Sequence, residues 1–125
     1  MIRDRSLSPV ETTEAILRRA EQSQAVLNAF ITISADEAMS AARDAEAAVM
    51  QGKELGPLHG VPVTIKDLVN TAGIRTTFGS HVFEDNVPKI DAVSVARLKA
   101  AGAIIIGKTT TPEFGVPSKT GLTPL

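Results

Sequence analysis

Apolar and polar positions alternate with a period of two along Val61-Pro62-Val63-Thr64-Ile65-Lys66. That alternation predicts a strand over 61–66. It carries the ammonium of Lys66 to the edge of an apolar core. A second run, Ala103-Ile104-Ile105-Ile106-Gly107, is apolar without alternation, as in a strand covered on both faces, and predicts one over 103–107. Between the two, Val93, Val95, Ala96, Leu98 and Ala100 leave a thin polar stripe around Ser94 and Arg97. This predicts a largely buried helix over 92–101, capped by Asp91 and closed by Gly102. Strand, helix and strand in this order predict a parallel β-α-β crossover.

Nearer the start, Val10, Thr13, Leu17 and Ala20 share one helical stripe. Ser8-Pro9-Val10-Glu11 supplies a cap, a proline suited to the first helical position and the glutamate of a capping box. A helix over about 9–23 is expected. Residues 27–33 form a short β-branched run, a connector or brief strand. Ser34-Ala35-Asp36-Glu37 reads as a second capping box, opening a helix over 35–51 that Gly52 closes. Its face of Ala38, Ala41, Ala42, Ala45 and Val49 implies close packing on another element. Residues 70–80 are glycine-punctuated and threonine-rich, a loop or short hairpin beyond a strand end, where binding residues often sit. From Lys108 to Leu125 an irregular loop is expected. Two strands are too few for a stable α/β sheet. The chain is therefore expected to be the N-terminal piece of a larger protein, with 103–107 presenting an apolar strand edge on which the isolated piece aggregates.

Composition narrows the classes. The 125 residues are 43% hydrophobic and 22% charged, in keeping with one small globular domain. A net charge of −1 gives no electrostatic case for a nucleic-acid partner or an anionic membrane. The absence of cysteine excludes disulfides and thiolate metal sites. His59 and His81 are the two imidazoles, without metal-ligand spacing around them, so neither metal nor cofactor is expected. No signal peptide is read at Met1-Ile2-Arg3-Asp4-Arg5-Ser6 and no window reaches membrane-spanning length, which predicts a soluble protein in the cytoplasm.

Candidate chemistry is sparse. Gly102-Ala103-Ile104-Ile105-Ile106-Gly107-Lys108-Thr109 fits the spacing of a phosphate-binding loop. Such a loop follows a strand and opens a helix, whereas here the spacer is itself the strand, so nucleotide binding is not expected. His59, between glycines and a proline, reads as a turn residue. Ser80, Ser118 and the threonines have no base in sight and read as hydrogen-bonding loop residues. Lys66 alone reads either as a snorkelling surface residue or as a base in a dry site.

Four segments taken together change that reading. Gly56-Pro57-Leu58-His59-Gly60-Val61-Pro62-Val63-Thr64-Ile65-Lys66-Asp67, Thr76-Thr77-Phe78-Gly79-Ser80, the stretch from Asp91 to Ala103, and Gly107-Lys108-Thr109-Thr110-Thr111-Pro112-Glu113-Phe114-Gly115 resemble the amidase signature family, in its order and spacing. Thr110 stands where many members have asparagine. The resemblance covers nearly the whole chain. It implies an α/β fold in which residues 1–125 are the N-terminal fragment of a single amidase domain, a mixed β-sheet core flanked by helices on both faces. It also implies a Ser-Ser-Lys triad. Lys66 would be the base, acting through a bridging serine on a nucleophilic serine. An acyl-enzyme forms, ammonia or an amine leaves, and water completes hydrolysis of a small-molecule amide. A homodimer of the full-length enzyme is a further expectation. The Pro112-Glu113-Phe114-Gly115 ending resembles stand-alone amidases more than the transamidating subunit that works on charged tRNA, which is one alternative; a truncated, non-catalytic chain is the other. No glycine- and serine-rich segment occurs in these residues, so both serines and the oxyanion hole are expected beyond Leu125 and the chain alone is expected to be inactive. To work near neutral pH the Lys66 amine needs a desolvated strand end, and Asp67 should point away from it.

Overall fold

Ser8 starts the first helix as its pattern predicts. Its Oγ accepts the N–H groups of Val10 and Glu11 at 3.0 and 3.1 Å, satisfying two donors that the first turn leaves free. The hydroxyl proton goes to Glu46 Oε1 at 2.5 Å, so the cap also ties two helices together. The computed structural model describes residues 1–116. In them α1 (Pro9–Leu27), β1 (Phe30–Ile33), α2 (Ala35–Met50), β2 (Pro62–Lys66), α3 (Val93–Ala100) and β3 (Ile104–Thr109) follow in that order. Short 3₁₀ turns lie at His81–Phe83 and Glu113–Gly115. Helix α1 continues past Ser23 to Leu27, where Asn28 takes the left-handed conformation and closes it. No helix among the described residues is long and apolar enough to cross a membrane.

The other two expected caps do different work. Ser34 makes no side-chain cap; it is buried, and its N–H donates to the Ile106 carbonyl at 3.0 Å, prolonging the pairing of β1. Asp91 leaves the cap of α3 to Ala92. Its carboxylate accepts the Ala72 N–H at 2.7 Å and the Lys99 ammonium at 2.7 and 2.9 Å. A charged donor and a loop N–H together outcompete the helix N–H groups for one short carboxylate.

The three strands form one mixed sheet in the order β1-β3-β2. β2 and β3 run parallel and β1 antiparallel to β3. The β-branched run at Phe30–Ile33 is thus a true strand, and α3 joins the parallel pair. This placement corrects one expectation. The apolar run 103–107 lies in the sheet's centre, covered on both sides by strands, and the edges are β1 and β2. The predicted aggregation edge at 103–107 is therefore absent.

Helices cover both faces, with one core on each. On one face Leu17, Ala38, Ala42 and Ala45 of α1 and α2 pack on Ile104 and Ile106. On the other, Ile65, Ile74, Val95 and Ile105 cluster, with Val63, Val69 and Leu98 around them. Each fully buried branched side chain contributes about 1.5–3 kcal/mol of transfer free energy. Helix α3 is less buried than its pattern predicts. Val95 alone is buried in it, and Val93 is 69% exposed.

β3 carries an irregularity that decides the site. Val63 pairs with Ile105, but Thr64 pairs with Gly107, leaving Ile106 as an extra residue. Such a bulge shifts the alternation by one. Without it, Lys108 would share the face of Ile104 and Ile106. With it, Lys108 pairs with Ile65 and falls on the face of Ile105. Gly107 is required here: its φ is +155°, and a Cβ would lie 2.3 Å from the Thr32 carbonyl oxygen of β1.

Candidate active site

The alternation of β2 ends in Lys66, which pairs with Thr109. Its Nζ donates to the Thr110 carbonyl at 2.5 Å, and its side chain is exposed. The dry strand end expected for a base is therefore not built by the described residues. Asp67, next in the chain, points the other way, as alternation demands. Its carboxylate is fully buried. Oδ2 accepts the Thr77 N–H at 3.0 Å and the Thr77 hydroxyl. The Asp67 N–H donates to the Thr109 carbonyl at 3.1 Å, and its own carbonyl accepts the Phe78 N–H at 3.0 Å.

Facing Asp67 is a residue that the pattern assigned to a loop. Lys108 lies inside β3 and is 0% exposed. Its Nζ donates to the Val69 carbonyl and to Thr76 Oγ1, both at 2.6 Å. Asp67 Oδ1 lies 3.8 Å from the same Nζ and has no hydrogen-bond partner among the described residues. Burial pushes the Lys108 ammonium down to about 8, against the pull of the Asp67 charge. Thr71, Thr76, Thr77 and Ser80 are all buried, with Thr76 on Lys108 and Thr77 on Asp67. The threonine-rich loop is thus the polar lining that a buried ion pair needs.

The loop reaches the segment after β3. Ser80 Oγ donates to Glu113 Oε1 at 2.6 Å, and the Phe114 N–H donates to the Phe78 carbonyl at 2.8 Å. Phe83 stands edge-on between Phe78 and Phe114, with centroid distances of 5.3 and 6.0 Å. Phe114 is 54% exposed, so an aromatic patch borders the strand ends from which Lys66 projects.

The remaining candidates have structural partners. His59 Nε2 lies 2.9 Å from the Ala45 carbonyl, holding its turn against α2. It lines a cavity of about 560 Å³ beside Asp44, Ile74, Lys99 and Ile105. That cavity borders the amino end of β3, away from Lys66. The phosphate-loop match falls in β3, and a single 3₁₀ turn follows it, so the helix such a loop needs is lacking among the described residues. Ser118 lies outside them. Sequence reasoning missed Lys108 and its partnership with Asp67. The available signal was a glycine inside an apolar strand, a frequent mark of a bulge or close backbone approach.

The sequence matches the family described as Amidase over residues 11–123. It is 42% identical over 119 residues to the A subunit of glutamyl-tRNA(Gln) amidotransferase from Geotalea daltonii, covering 95% of this chain and 24% of that protein. To its counterpart in Geobacter sulfurreducens it is 45% identical over 114 residues, covering 91% and 23%. Among solved structures, native peptide amidase from Stenotrophomonas maltophilia superposes with a TM-score of 0.83 at 33% identity, covering 90% of this chain and 23% of that one. A bacterial aryl acylamidase of the amidase signature family superposes with a TM-score of 0.83 at 28% identity, covering 90% and 24%. The chain thus spans about a quarter of the length of the relatives it matches. With the family's order of segments, its mixed sheet and its two helical layers all present, the chain belongs to the amidase family.

Proposed function

We propose that these residues are the N-terminal part of an amidase that hydrolyses a carbon–nitrogen bond of a small-molecule amide, with Lys66 as general base. The observation that carries the reading is the position of Lys66. It closes a parallel strand at the carboxyl edge of the sheet, where open α/β sheets bind their ligands, in a fold shared with solved amidases. In this reading the rest of the protein supplies the bridging serine, the nucleophilic serine and the oxyanion hole, and covers Lys66. In its neutral form the amine draws a proton through the bridging serine while the nucleophile attacks the carbonyl. Collapse of the tetrahedral adduct breaks the carbon–nitrogen bond as the leaving nitrogen takes up that proton; ammonia or an amine departs, and water hydrolyses the acyl-enzyme that is left. The 125 residues alone lack the serines and do not turn over substrate. Substitution Lys66→Ala in the full-length protein tests the assignment: turnover is lost while the fold persists, and retained turnover overturns it.

A second reading has its own support. Curated relatives at 40–45% identity are amidotransferase A subunits, above the 28–34% of solved amidases. Under it the full-length protein transfers the amide nitrogen of glutamine to an acceptor in company with partner subunits. Glutamine-dependent transfer in their presence, with slow hydrolysis of simple amides, selects this reading over the first.

A further inference from the structure

We infer that Asp67 and Lys108 form a buried clamp that sets the position of Lys66, making Lys108 a positioning residue for the proposed chemistry. The inference rests on the amidase reading for its consequence in turnover and on geometry for its existence. Lys66 and Lys108 do not touch. They are coupled through the backbone at the paired ends of β2 and β3. Asp67 follows Lys66 directly, so fixing its carboxylate inside the protein fixes the direction in which Lys66 leaves the strand. Lys108 precedes Thr109 and Thr110. Thr109 receives the Asp67 N–H, and Thr110 receives the Lys66 ammonium. The two hydrogen bonds from Lys108 reach Val69 and Thr76, on either side of the loop that leaves β2. Thr77 closes the circle by donating twice to Asp67 and accepting the Gly79 N–H at 3.1 Å. Both strand ends and the intervening loop are thereby held to one buried charge pair.

The expense of the arrangement argues for a purpose beyond stability. A buried ion pair is a poor stabiliser, and an apolar pair of similar volume frequently does as well or better. Here the ion pair is stretched to 3.8 Å, and Asp67 Oδ1 has no hydrogen bond from the described residues. What such a pair provides is direction, because each donor and acceptor accepts a narrow range of positions. A base must sit within hydrogen-bond reach of the proton it takes, and misplacement by about 1 Å costs about 100-fold in rate.

The test compares Lys108→Met, Asp67→Asn and the double variant in the full-length protein. The double variant removes both charges, so neither is stranded, and it is expected to fold and to melt near the parent's temperature. Three quantities are measured: the melting temperature, kcat and KM on p-nitroacetanilide, and the rate at which trinitrobenzenesulfonate labels Lys66, read by peptide mapping. The inference expects kcat in the double variant to stay down by about 100-fold with KM little changed, and Lys66 labelling to rise several-fold. Recovery of kcat along with the melting temperature, with Lys66 labelling at the parent's rate, overturns it and leaves the pair a structural one. If the parent hydrolyses no amide, the amidase reading fails, while the labelling rate still decides the clamp.

Discussion

Lys66 and Lys108 stand at the ends of adjacent parallel strands, offset by one residue in the pairing, since Ile65 faces Lys108 and Lys66 faces Thr109. Each follows an apolar run. One is exposed, with its ammonium on a single carbonyl. The other is wholly buried, on a carbonyl, a hydroxyl and a distant carboxylate. The bulge at Ile106 separates them. β2 alternates regularly and sends Lys66 outward, while β3 slips by one residue and sends Lys108 inward. A lysine after an apolar run is thus informative only once the strand's parity is known. The buried lysine is bound up in structure, and the exposed one makes one hydrogen bond among the described residues.

The largest effect expected from breaking this contrast is at the exposed lysine. Lys66→Ala in the full-length protein should lower kcat by about 10²- to 10⁴-fold and shift stability by less than about 0.5 kcal/mol, compared by steady-state kinetics and denaturant unfolding. Lys108→Met should do the reverse in stability. It strands Asp67 in the interior and should cost about 3–5 kcal/mol, with Asp67→Asn restoring much of the loss in the double variant. Next, Gly107→Ala forces a Cβ against the Thr32 carbonyl. It should destabilise by about 1–3 kcal/mol, and loss of slow amide exchange along β1 and β3 would report it. Ser8→Ala, remote from both lysines, should cost about 1 kcal/mol and serves as a control.

The pH dependence sharpens the comparison further. Lys108 has a folded-state value of about 8 against 10.5 for the free side chain. Between those values the unfolded chain binds more protons, so this group makes stability rise with pH from about 8 towards 10.5. Below about 8 the penalty for burying the charge is fully present. Asp67 is the charged side chain that opposes it, so Asp67→Asn should begin the rise at lower pH. Denaturant titrations at several pH values, with Lys108→Met as the reference without the group, check both slopes.

Much of the fold was legible because local chemistry and pattern agree over most of the chain. The Ser8 cap, the small-residue face of α2 and the alternation of β2 each specify an element through contacts a few residues away. Where two uses compete for one polar side chain, the local rule loses. Asp91 gives up its cap to Lys99 and Ala72; Ser34, whose N–H joins the strand pairing, likewise makes no side-chain cap. Helix α3 shows another limit. Its apolar pattern describes the cover it needs, and the described residues supply cover on the sheet side through Val95 and Leu98.

The sequence by itself determined the family, the identity and order of the helices and of the two strands β2 and β3, and the delivery of Lys66 to a strand end. These follow from residue types and short spacings, which the backbone periods translate directly into structure. Tertiary structure alone decided that Phe30–Ile33 is a strand, that β3 is central, and that Lys108 turns inward to Asp67. Those outcomes depend on pairing between segments far apart in the chain, such as Ile33 against Gly107. A one-residue bulge reverses every side chain beyond it, and no local period records its presence.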